Sequence, residues 1–326
     1  MEKTFVSIVI PTRNNEKVLE DCLKSLRKQD YPKNRFEIII ADDHSTDKTA
    51  AVAKKYGVKI VKSSGPPGRQ RNDAIAAAKG QIIGFIDSDC VAEKSWISKG
   101  VSNFTDDNIA IVGGPNFTHP NDPFIAHATG YVFSSRAGSA AMSARYTNRG
   151  KAVKETDETG LISCNMFMRK KVVDEMKGFE TKFFPNEENE LMHRVKVAGY
   201  RLLYVPNMTV HHHRRSTLKG FFFQSLFYGI SRAQLVKEHP RVLKLLHLVP
   251  TAFVLFLLLA PLAAFAFPQY WIFYYLFVGL YFSFMVSLGI YKAFKFKDAR
   301  LAIIMPLMFF ILHFAYGIGF IRGLFK

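Results

Sequence analysis

Three long stretches near the C-terminus contain no charged residue. They are residues 245–267, 270–291 and 301–321, and none includes Lys, Arg, Asp or Glu. At about 1.5 Å per residue, a helix of each length crosses a hydrocarbon layer of ~30 Å. A buried helix in a water-soluble protein is usually shorter and amphipathic. The sequence therefore predicts three transmembrane helices.

The loops between these stretches differ in charge. The first loop, FPQY, is uncharged, whereas the second, KAFKFKDAR, is basic. Basic loops favour the cytoplasmic side, so we expect this loop and the large N-terminal region in the cytoplasm of a multi-pass cell-membrane protein. Arg322 and Lys326 would then lie outside, which departs from the rule. The apolar run near the N-terminus is too short for a signal peptide.

The net charge of +17 at first suggests a nucleic-acid partner. However, the basic residues cluster in HHHRRSTLKG and KAFKFKDAR, beside the predicted membrane spans, where anionic lipid headgroups attract them. No nucleic-acid-binding motif accompanies the charge, so membrane lipids are the predicted partner. Cys22, Cys90 and Cys164 are scattered, with neither disulfide nor zinc spacing, which is typical of a reducing cytosol.

Strand and helix patterns alternate in the N-terminal half. Short apolar runs (FVSIVI, FEIIIADD, VKIVK and QIIGFID) are separated by segments with helical spacing. This alternation predicts an α/β domain with a mainly parallel sheet. Ligands of such sheets bind beyond the carboxyl ends of the strands, where Pro11–Asn15, Asp42–Asp43 and Asp87–Asp89 lie. We expect these three polar clusters to meet in one crevice.

The pattern loosens between residues 109 and 160, where we expect long functional loops, NFTHPNDPF and SRAGSAAMSARYTNRGKAVKETDETG among them. Residues 218–240 are apolar on one side and basic on the other, which predicts an interfacial helix. The domain prediction is a catalytic domain over residues 1–217, interfacial helices over 218–244 and a membrane domain over 245–326.

Asp87 and Asp89 follow the fourth apolar run with one serine between them. Their carboxylates suit Mg²⁺ or Mn²⁺, which commonly also bind oxygens of a substrate phosphate. A solvated turn is the alternative. Asp42 and Asp43 end another strand and either cap a turn or hydrogen-bond a nucleotide. Arg71 is near the start of an Ala-rich helix, where it either lies against a diphosphate or is solvated.

Three glutamates open a later helix, in the segment FFPNEENEL. Carboxylates at this position complement the helix dipole, and Glu190 has the spacing to pair with Arg194. Only one carboxylate facing the crevice is needed for a general base. In the HHH run at 211–213, His212 points away from its two neighbours, so the three cannot serve one site; a basic patch at the membrane is the alternative to a ligand role.

The ordered set of motifs resembles family 2 glycosyltransferases of the GT-A fold. It consists of SIVIPTRNN, IIIADDHSTD, GRQRNDAIAAAKGQIIGFIDSDC, SCNMFMRKKVVDEMKGFETKFFPNEENELMHRVKVAGYRLLYVP and HHHRRST, and it spans about residues 5–217. With its membrane tail, the chain is similar to enzymes that extend lipid-linked glycans. The resemblance implies a nucleotide-sugar donor, a divalent metal and inversion at the anomeric carbon.

The resemblance also implies roles for particular residues. Glu188 falls at the position of the general base, where the family usually has aspartate, and Glu187 is the second candidate. Asp87 and Asp89 form the metal-binding D-x-D motif, and His212 matches a histidine that closes the site as a further ligand. The predicted nucleotide-sugar contacts are Pro11, Thr12, Arg13, Asn14, Asp42, Asp43, Arg71 and Asp87.

Other functions share some of these features. A polyprenyl-phosphate sugar synthase attacks with a phosphate oxygen and needs no base, so the carboxylates at 187–190 favour a hydroxyl acceptor. A processive polysaccharide synthase would carry Gln-x-x-Arg-Trp, whereas this chain has QSLFYGISR. A non-catalytic membrane scaffold is the candidate from another class. The prediction is the transfer of single sugars from a UDP- or GDP-sugar to a lipid-linked or membrane-associated glycan.

Overall fold

The structure is a computed structural model that describes residues 4–148, 150 and 152–326. Arg149 and Lys151, in the second predicted loop, lie outside the described residues. The chain forms two compact units. The first comprises the residues up to Asn121 together with Ala141–His213, and the second comprises Asp122–Ala140 and Arg214–Lys326.

Strands occur only in the first unit within the described part of the chain. They are β1 (Val6–Thr12), β2 (Phe36–Asp42), β3 (Lys59–Lys62), β4 (Ile82–Phe85), β5 (Cys90–Ala92), β6 (Ile109–Gly113), β7 (Asn116–Thr118), β8 (Lys154–Thr156), β9 (Met166–Arg169), β10 (Arg201–Tyr204) and β11 (Val210–His212). The helices are α1 (Glu16–Arg27), α2 (Thr49–Lys55), α3 (Pro67–Ala76), α4 (Trp96–Ser102), α5 (Phe124–Ser134), α6 (Arg136–Ser139), α7 (Lys170–Glu175), α8 (Glu187–Val197), α9 (Leu218–Glu238), α10 (Leu245–Ala266), α11 (Trp271–Phe296) and α12 (Arg300–Leu324).

Eight of these strands form one sheet in the order β3-β2-β1-β4-β9-β6-β10-β8. The neighbours from β3 to β4 are parallel, as the strand–helix alternation predicts. β9 runs antiparallel to both β4 and β6, a direction that its short apolar sequence does not reveal. The predicted α/β fold with a mainly parallel core is confirmed, with β9 and β8 as antiparallel additions.

The sheet core explains why the strand ends align. Val6 to Thr12 are all buried, with Ile8 and Ile10 on the face that packs against α1 and Val9 on the face that packs against α3. Thr12 is paired with Asp42 on β2, and Val9 is paired with Phe85 on β4. Polar residues that follow these strands therefore leave the core at the same edge of the sheet.

A second, three-stranded sheet has the order β5-β11-β7. β11 is antiparallel to β5 and pairs His212 with Cys90, one residue beyond Asp89. β11 is parallel to β7, where Val210 is paired with Asn116. This small sheet brings the predicted histidine run to the D-x-D turn.

The second unit is helical and contains the three predicted hydrophobic segments. The helices long and apolar enough to cross a membrane, among the residues described, span Leu245–Ala266, Pro268–Phe296 and Arg300–Leu324. α9 packs against α12, and small residues allow their backbones to approach closely. A Cβ atom at Gly319 would collide with the backbone carbonyl of Leu226, and one at Gly229 with that of Tyr316.

Candidate active site

The D-x-D turn fixes the direction of two carboxylates. β4 buries all four of its residues and is followed by the buried Ile86, after which the amide of Cys90 donates to the carbonyl of Asp87 at 3.0 Å. The buried hydroxyl of Ser88 accepts a 2.7 Å hydrogen bond from Asn15 Nδ2. The turn thereby leaves the side chains of Asp87 and Asp89 partly open, at 28 % and 29 % exposure.

Asp89 faces His212. The distance from Asp89 Oδ1 to His212 Nε2 is 3.3 Å, and the backbone amide of His213 donates to the carbonyl of Asp89 at 3.0 Å. Burial alone would lower the pKa of His212, but the charge of Asp89 and its hydrogen bond outweigh burial and raise that pKa to about 10. His211 instead lies 3.8 Å from Glu93, and His213 lies beside the ring of His119. The side chain of His212 therefore lies against Asp89, whereas the side chains of His211 and His213 lie beside Glu93 and His119.

The donor atoms at this point fit a divalent cation. Carboxylate oxygens suit Mg²⁺ and Mn²⁺, and a neutral imidazole nitrogen is a ligand that Mn²⁺ accepts more readily than Mg²⁺ does. Asp89 and His212 are adjacent and partly open, so both can turn towards one ion. Asp87, whose Oδ1 already binds Arg71 at 2.8 Å, is the less available of the two aspartates.

Arg71 lies beneath this turn, on α3. It is 3 % exposed, and its guanidinium donates to Asp87 Oδ1 at 2.8 Å and to Glu187 Oε1 at 3.0 Å. The sequence predicts a diphosphate contact for this residue. The structure gives it a further role, because its charge neutralises two carboxylates that come from β4 and α8.

Glu187 begins α8 and is 2 % exposed. Its Oε1 binds Arg71, whereas no hydrogen-bond partner for its buried Oε2 is found among the described residues. Burial, and then the neighbouring charge of Glu188, raise the pKa of Glu187 to about 7, although Arg71 acts in the opposite direction. At neutral pH this carboxyl is therefore poised between its protonated and ionised forms.

Glu188 points towards a different arginine. Arg145 Nη1 lies 3.8 Å from Glu188 Oε1, and both side chains are buried. Arg145 also donates to the carbonyls of Glu158 and Thr159 and to the side chain of Asn189. These bonds fix its guanidinium beside Glu188, the predicted base.

The third glutamate is structural. Glu190 is fully buried and binds Arg194 through 2.7 Å between Glu190 Oε2 and Arg194 Nη2. Arg194 also donates to the backbone carbonyls of Met176 and Gly178. The predicted i,i+4 pair is present, and it attaches α8 to the end of α7.

The loops after β1 and β2 support each other. Asp43 accepts from Arg13 Nη1 at 3.1 Å, and Asp42 accepts from the hydroxyl of Ser45. Asn14 adopts a left-handed backbone (φ 51°), and its side-chain oxygen accepts from the amide of Thr46 at 2.8 Å. Pro11 and Thr12 are buried at the end of β1, whereas the side chain of Arg13 is exposed. The residues predicted to contact the nucleotide thus lie on two neighbouring loops that are joined by hydrogen bonds.

The sequence does not predict the role of Arg145 or the contacts of Cys164. Arg145 lies in a polar segment without periodicity, 43 residues before its partner Glu188. Cys164 accepts a 2.9 Å hydrogen bond from Asn116 Nδ2, which also lies 3.2 Å from His212 Nδ1. No local spacing joins these residues, since each pair comes together only when the sheet forms.

Comparison with known proteins identifies a family. The sequence profile described as "Glycosyl transferase family 2" matches residues 7–177. Glycosyltransferase AglE of Haloferax volcanii is 27 % identical over 208 residues, which cover 61 % of this chain and 64 % of that protein. A dolichyl N-acetyl-alpha-D-glucosaminyl phosphate 3-beta-D-2,3-diacetamido-2,3-dideoxy-beta-D-glucuronosyltransferase of Methanococcus voltae is 26 % identical over 99 % of this chain and 98 % of that protein.

A solved structure shares the fold. Mannosyltransferase PcManGT from Pyrobaculum calidifontis, in complex with GDP-Man and Mn²⁺, superposes with a TM-score of 0.64. The match covers 95 % of this chain and 86 % of that chain, at 16 % sequence identity. The likeness at this identity concerns the fold, which is the GT-A architecture that the sequence predicts.

Proposed function

The chain belongs to glycosyl transferase family 2, and on that premise we propose that it transfers one sugar from a UDP- or GDP-sugar to a hydroxyl of a lipid-linked or membrane-associated glycan, with inversion at the anomeric carbon. The observation that carries this proposal is a continuous chain of contacts. Asp89 lies against His212, and Arg71 donates hydrogen bonds to Asp87 and Glu187. Glu187 directly precedes Glu188. The proposed metal ligands and the proposed base are thus parts of one cluster.

On the donor side, the paired loops after β1 and β2 are proposed to hold the nucleoside. The residues are Pro11, Thr12, Arg13, Asn14, Asp42 and Asp43. Their mutual hydrogen bonds give the loops a fixed shape before the donor binds, which reduces the entropy lost on binding. Arg71 and Asp87 are proposed to lie near the diphosphate of the donor. The main role of Arg71 there is to hold the carboxylate of Asp87 in position by its hydrogen bond.

Asp89 and His212, with Asp87 as a further candidate, would hold Mg²⁺ or Mn²⁺, and such an ion supplies positive charge that stabilises a departing nucleoside diphosphate. The mannosyltransferase with the related fold was solved with Mn²⁺, which supports the choice. His212 must lose its second ring proton before it can act as a ligand. Asn116 Nδ2 lies 3.2 Å from His212 Nδ1, so the Asn116 amide would have to turn its oxygen to this nitrogen to hold the Nδ1–H tautomer that leaves Nε2 free for a metal.

On the acceptor side, Glu188 is proposed to take the proton of the attacking hydroxyl. Arg145 orients its carboxylate from 3.8 Å. Glu187 is the less suitable base, because one oxygen is bound to Arg71 and burial keeps it partly protonated near neutral pH. Its proposed role is to hold Arg71 and the start of α8 in place.

The acceptor assignment is supported by the relative from Methanococcus voltae, whose name describes transfer to a dolichyl-linked sugar and whose alignment extends through the helices α10–α12. We place residues 1–217 in the cytoplasm as the catalytic domain, 218–244 at the interface and 245–326 in the cell membrane. The chain lacks the Gln-x-x-Arg-Trp motif of processive synthases, which supports the transfer of single sugars.

The test is nucleoside-diphosphate release by the detergent-solubilised chain. A panel of UDP- and GDP-sugars is offered with Mg²⁺, Mn²⁺ or EDTA, with and without extracted membrane lipids. The proposal predicts release from one donor that requires a metal and is stimulated by the lipids. Asp89→Ala should abolish release, whereas the matched control Asp107→Ala should leave it unchanged, because the side chain of Asp107 is fully exposed.

A non-catalytic scaffold would release no nucleoside diphosphate in this assay. A chain that binds donors but releases no diphosphate under any of these conditions would be a binding subunit. A chain that binds none of the donors would contradict the nucleotide-sugar assignment itself.

A further inference from the structure

Two buried thiols lie beside the proposed metal ligand His212. Cys90 Sγ, Cys164 Sγ and a ring nitrogen of His212 are all within 4.8 Å of one another. Both cysteines are free and buried. The three residues are separated by 74 and 48 positions along the chain, so their spacing does not resemble a zinc motif and the sequence alone does not reveal the cluster.

The cluster is held by rigid elements. Cys90 begins β5 and is paired directly with His212 on β11. Cys164 lies on the 3₁₀ turn Ser163–Asn165, which the buried side chain of Asn165 fixes in place by accepting from Trp96 Nε1 at 2.8 Å and donating to the carbonyls of Pro115 and Met208. The side chains are therefore presented together by the fold rather than by a mobile loop.

Asp89 places a carboxylate oxygen near two of these three residues. Its Oδ1 lies 3.3 Å from His212 Nε2 and 3.8 Å from Cys90 Sγ. Two ligand atoms on one tetrahedral zinc ion lie about 3.3–3.8 Å apart, given Zn–S and Zn–N bonds of about 2.3 and 2.0 Å. The two separations from Asp89 fall in that range, and the thiol and imidazole atoms, which lie within 4.8 Å of one another, would have to move closer together on binding.

We propose that Cys90, Cys164, His212 and Asp89 form a binding site for a thiophilic divalent cation such as Zn²⁺. Thiolates select such ions over Mg²⁺ and Mn²⁺, which prefer oxygen. On binding, each thiol releases one proton to solvent and forms one metal–sulfur bond, with no change of oxidation state. Because Asp89 and His212 are shared, an ion at this site withdraws both from the catalytic cation and inhibits transfer. This inhibitory role rests on the proposed function, whereas the site itself does not.

The site is tested by titrating the reduced, detergent-solubilised full chain with Co²⁺, whose thiolate complexes give a charge-transfer absorption. We expect this absorption to saturate at one equivalent and to disappear on addition of Zn²⁺. Cys164→Ser should weaken Co²⁺ binding by at least about tenfold, since loss of even an outer-shell group typically costs 10–100-fold. Cys22→Ser is the matched control, because Cys22 is equally buried and lies outside the cluster.

Inhibition is measured separately, as the loss of diphosphate release when Zn²⁺ is added at a fixed Mn²⁺ concentration. Each variant is compared with its own rate without zinc, and Cys164→Ser should need at least about ten times more zinc than the Cys22→Ser control. Absence of the thiolate absorption in the wild-type chain overturns the site, and this holds even where the serine variant does not fold. An equal absorption in Cys164→Ser also overturns it. Absorption without any transferase activity refutes the proposed function and leaves the site standing.

Discussion

Replacing Arg71 with methionine tests whether one buried arginine holds the centre of the site together. Methionine keeps a similar length and can pack near Phe179, whose ring centroid lies 5.6 Å from the guanidinium. The substitution leaves the buried carboxylate of Glu187 without its counter-charge. Asp87 also loses Arg71, but its side chain is 28 % exposed, so water can solvate its charge in part. Most of the cost should therefore come from Glu187.

The expected loss of stability at pH 8 is about 1–3 kcal/mol, less than the roughly 3–5 kcal/mol usual for a buried ion pair, because Glu187, whose pKa is already about 7, avoids most of the cost by taking up a proton. For a domain of about 200 residues this lowers the melting temperature by roughly 2–12 °C. The loss should shrink at pH 5.5, because Glu187 is then largely protonated with or without Arg71, so little of the ion pair is present to be lost. Arg71→Met/Glu187→Gln should recover much of the stability, since it removes the unpaired charge.

The assay is thermal unfolding of the detergent-solubilised protein, followed by intrinsic fluorescence at pH 5.5 and pH 8. Arg69→Met is the matched control on the same helix. Arg69 is largely exposed and pairs with Asp73 on the surface, so its loss should cost less than about 1 kcal/mol. If Arg71→Met melts no lower than Arg69→Met, or if the double variant gains nothing over Arg71→Met, the reasoning is refuted.

Three further outcomes are expected. Glu188→Gln should reduce acceptor-dependent diphosphate release by at least about 100-fold in protein that circular dichroism shows to be folded, because general-base catalysis contributes about 10²–10⁴-fold. An active variant would exclude Glu188 as the base. Ionisation of Glu187 costs stability, since its folded pKa of about 7 lies above the ordinary value of 4.5. The unfolding free energy should thus fall by about 3 kcal/mol between pH 4.5 and 7. In Glu187→Gln, the unfolding free energy measured over the same pH range should not show this fall. Gly319→Leu should lower the unfolding free energy by about 1–3 kcal/mol, because the new side chain forces α12 away from the Leu226 carbonyl on α9. Gly279→Leu is the control: a Cβ atom there has no described atom within 4 Å, so the melting temperature should stay unchanged.

The parts of the fold that local patterns encode could be predicted from the sequence. The strands β1 to β4 are apolar runs, and their parallel direction, seen in the pairing of Thr12 with Asp42, follows from their alternation with helices. Asp87 and Asp89 directly follow the apolar run of β4, so the end of that run already places them at the ligand-binding edge of the sheet. The three hydrophobic helices need only the absence of charge over a sufficient length.

The remainder depends on contacts between distant segments. The second predicted loop contains α6, a 3₁₀ helix (Ala140–Tyr146) and β8, none of which has enough length for a periodic signal. Arg145 becomes important only because the fold buries it beside Glu188. The cluster of Cys90 and Cys164 needs the antiparallel insertion of β9, which carries the 3₁₀ turn to the D-x-D edge. Propensity and spacing carry no information about such long-range pairing.

The measurement that tests the central claim most directly is transfer of a radiolabelled sugar into lipid. The donor identified by diphosphate release is incubated with membrane lipids, and the organic-extractable radioactivity is compared for the wild type, Asp89→Ala and Glu188→Gln. We predict metal-dependent label in the lipid fraction for the wild type and background label for both variants. Label that appears equally with all three proteins, or diphosphate release with label found only as free sugar, would contradict a glycosyltransferase that acts on a membrane-bound acceptor.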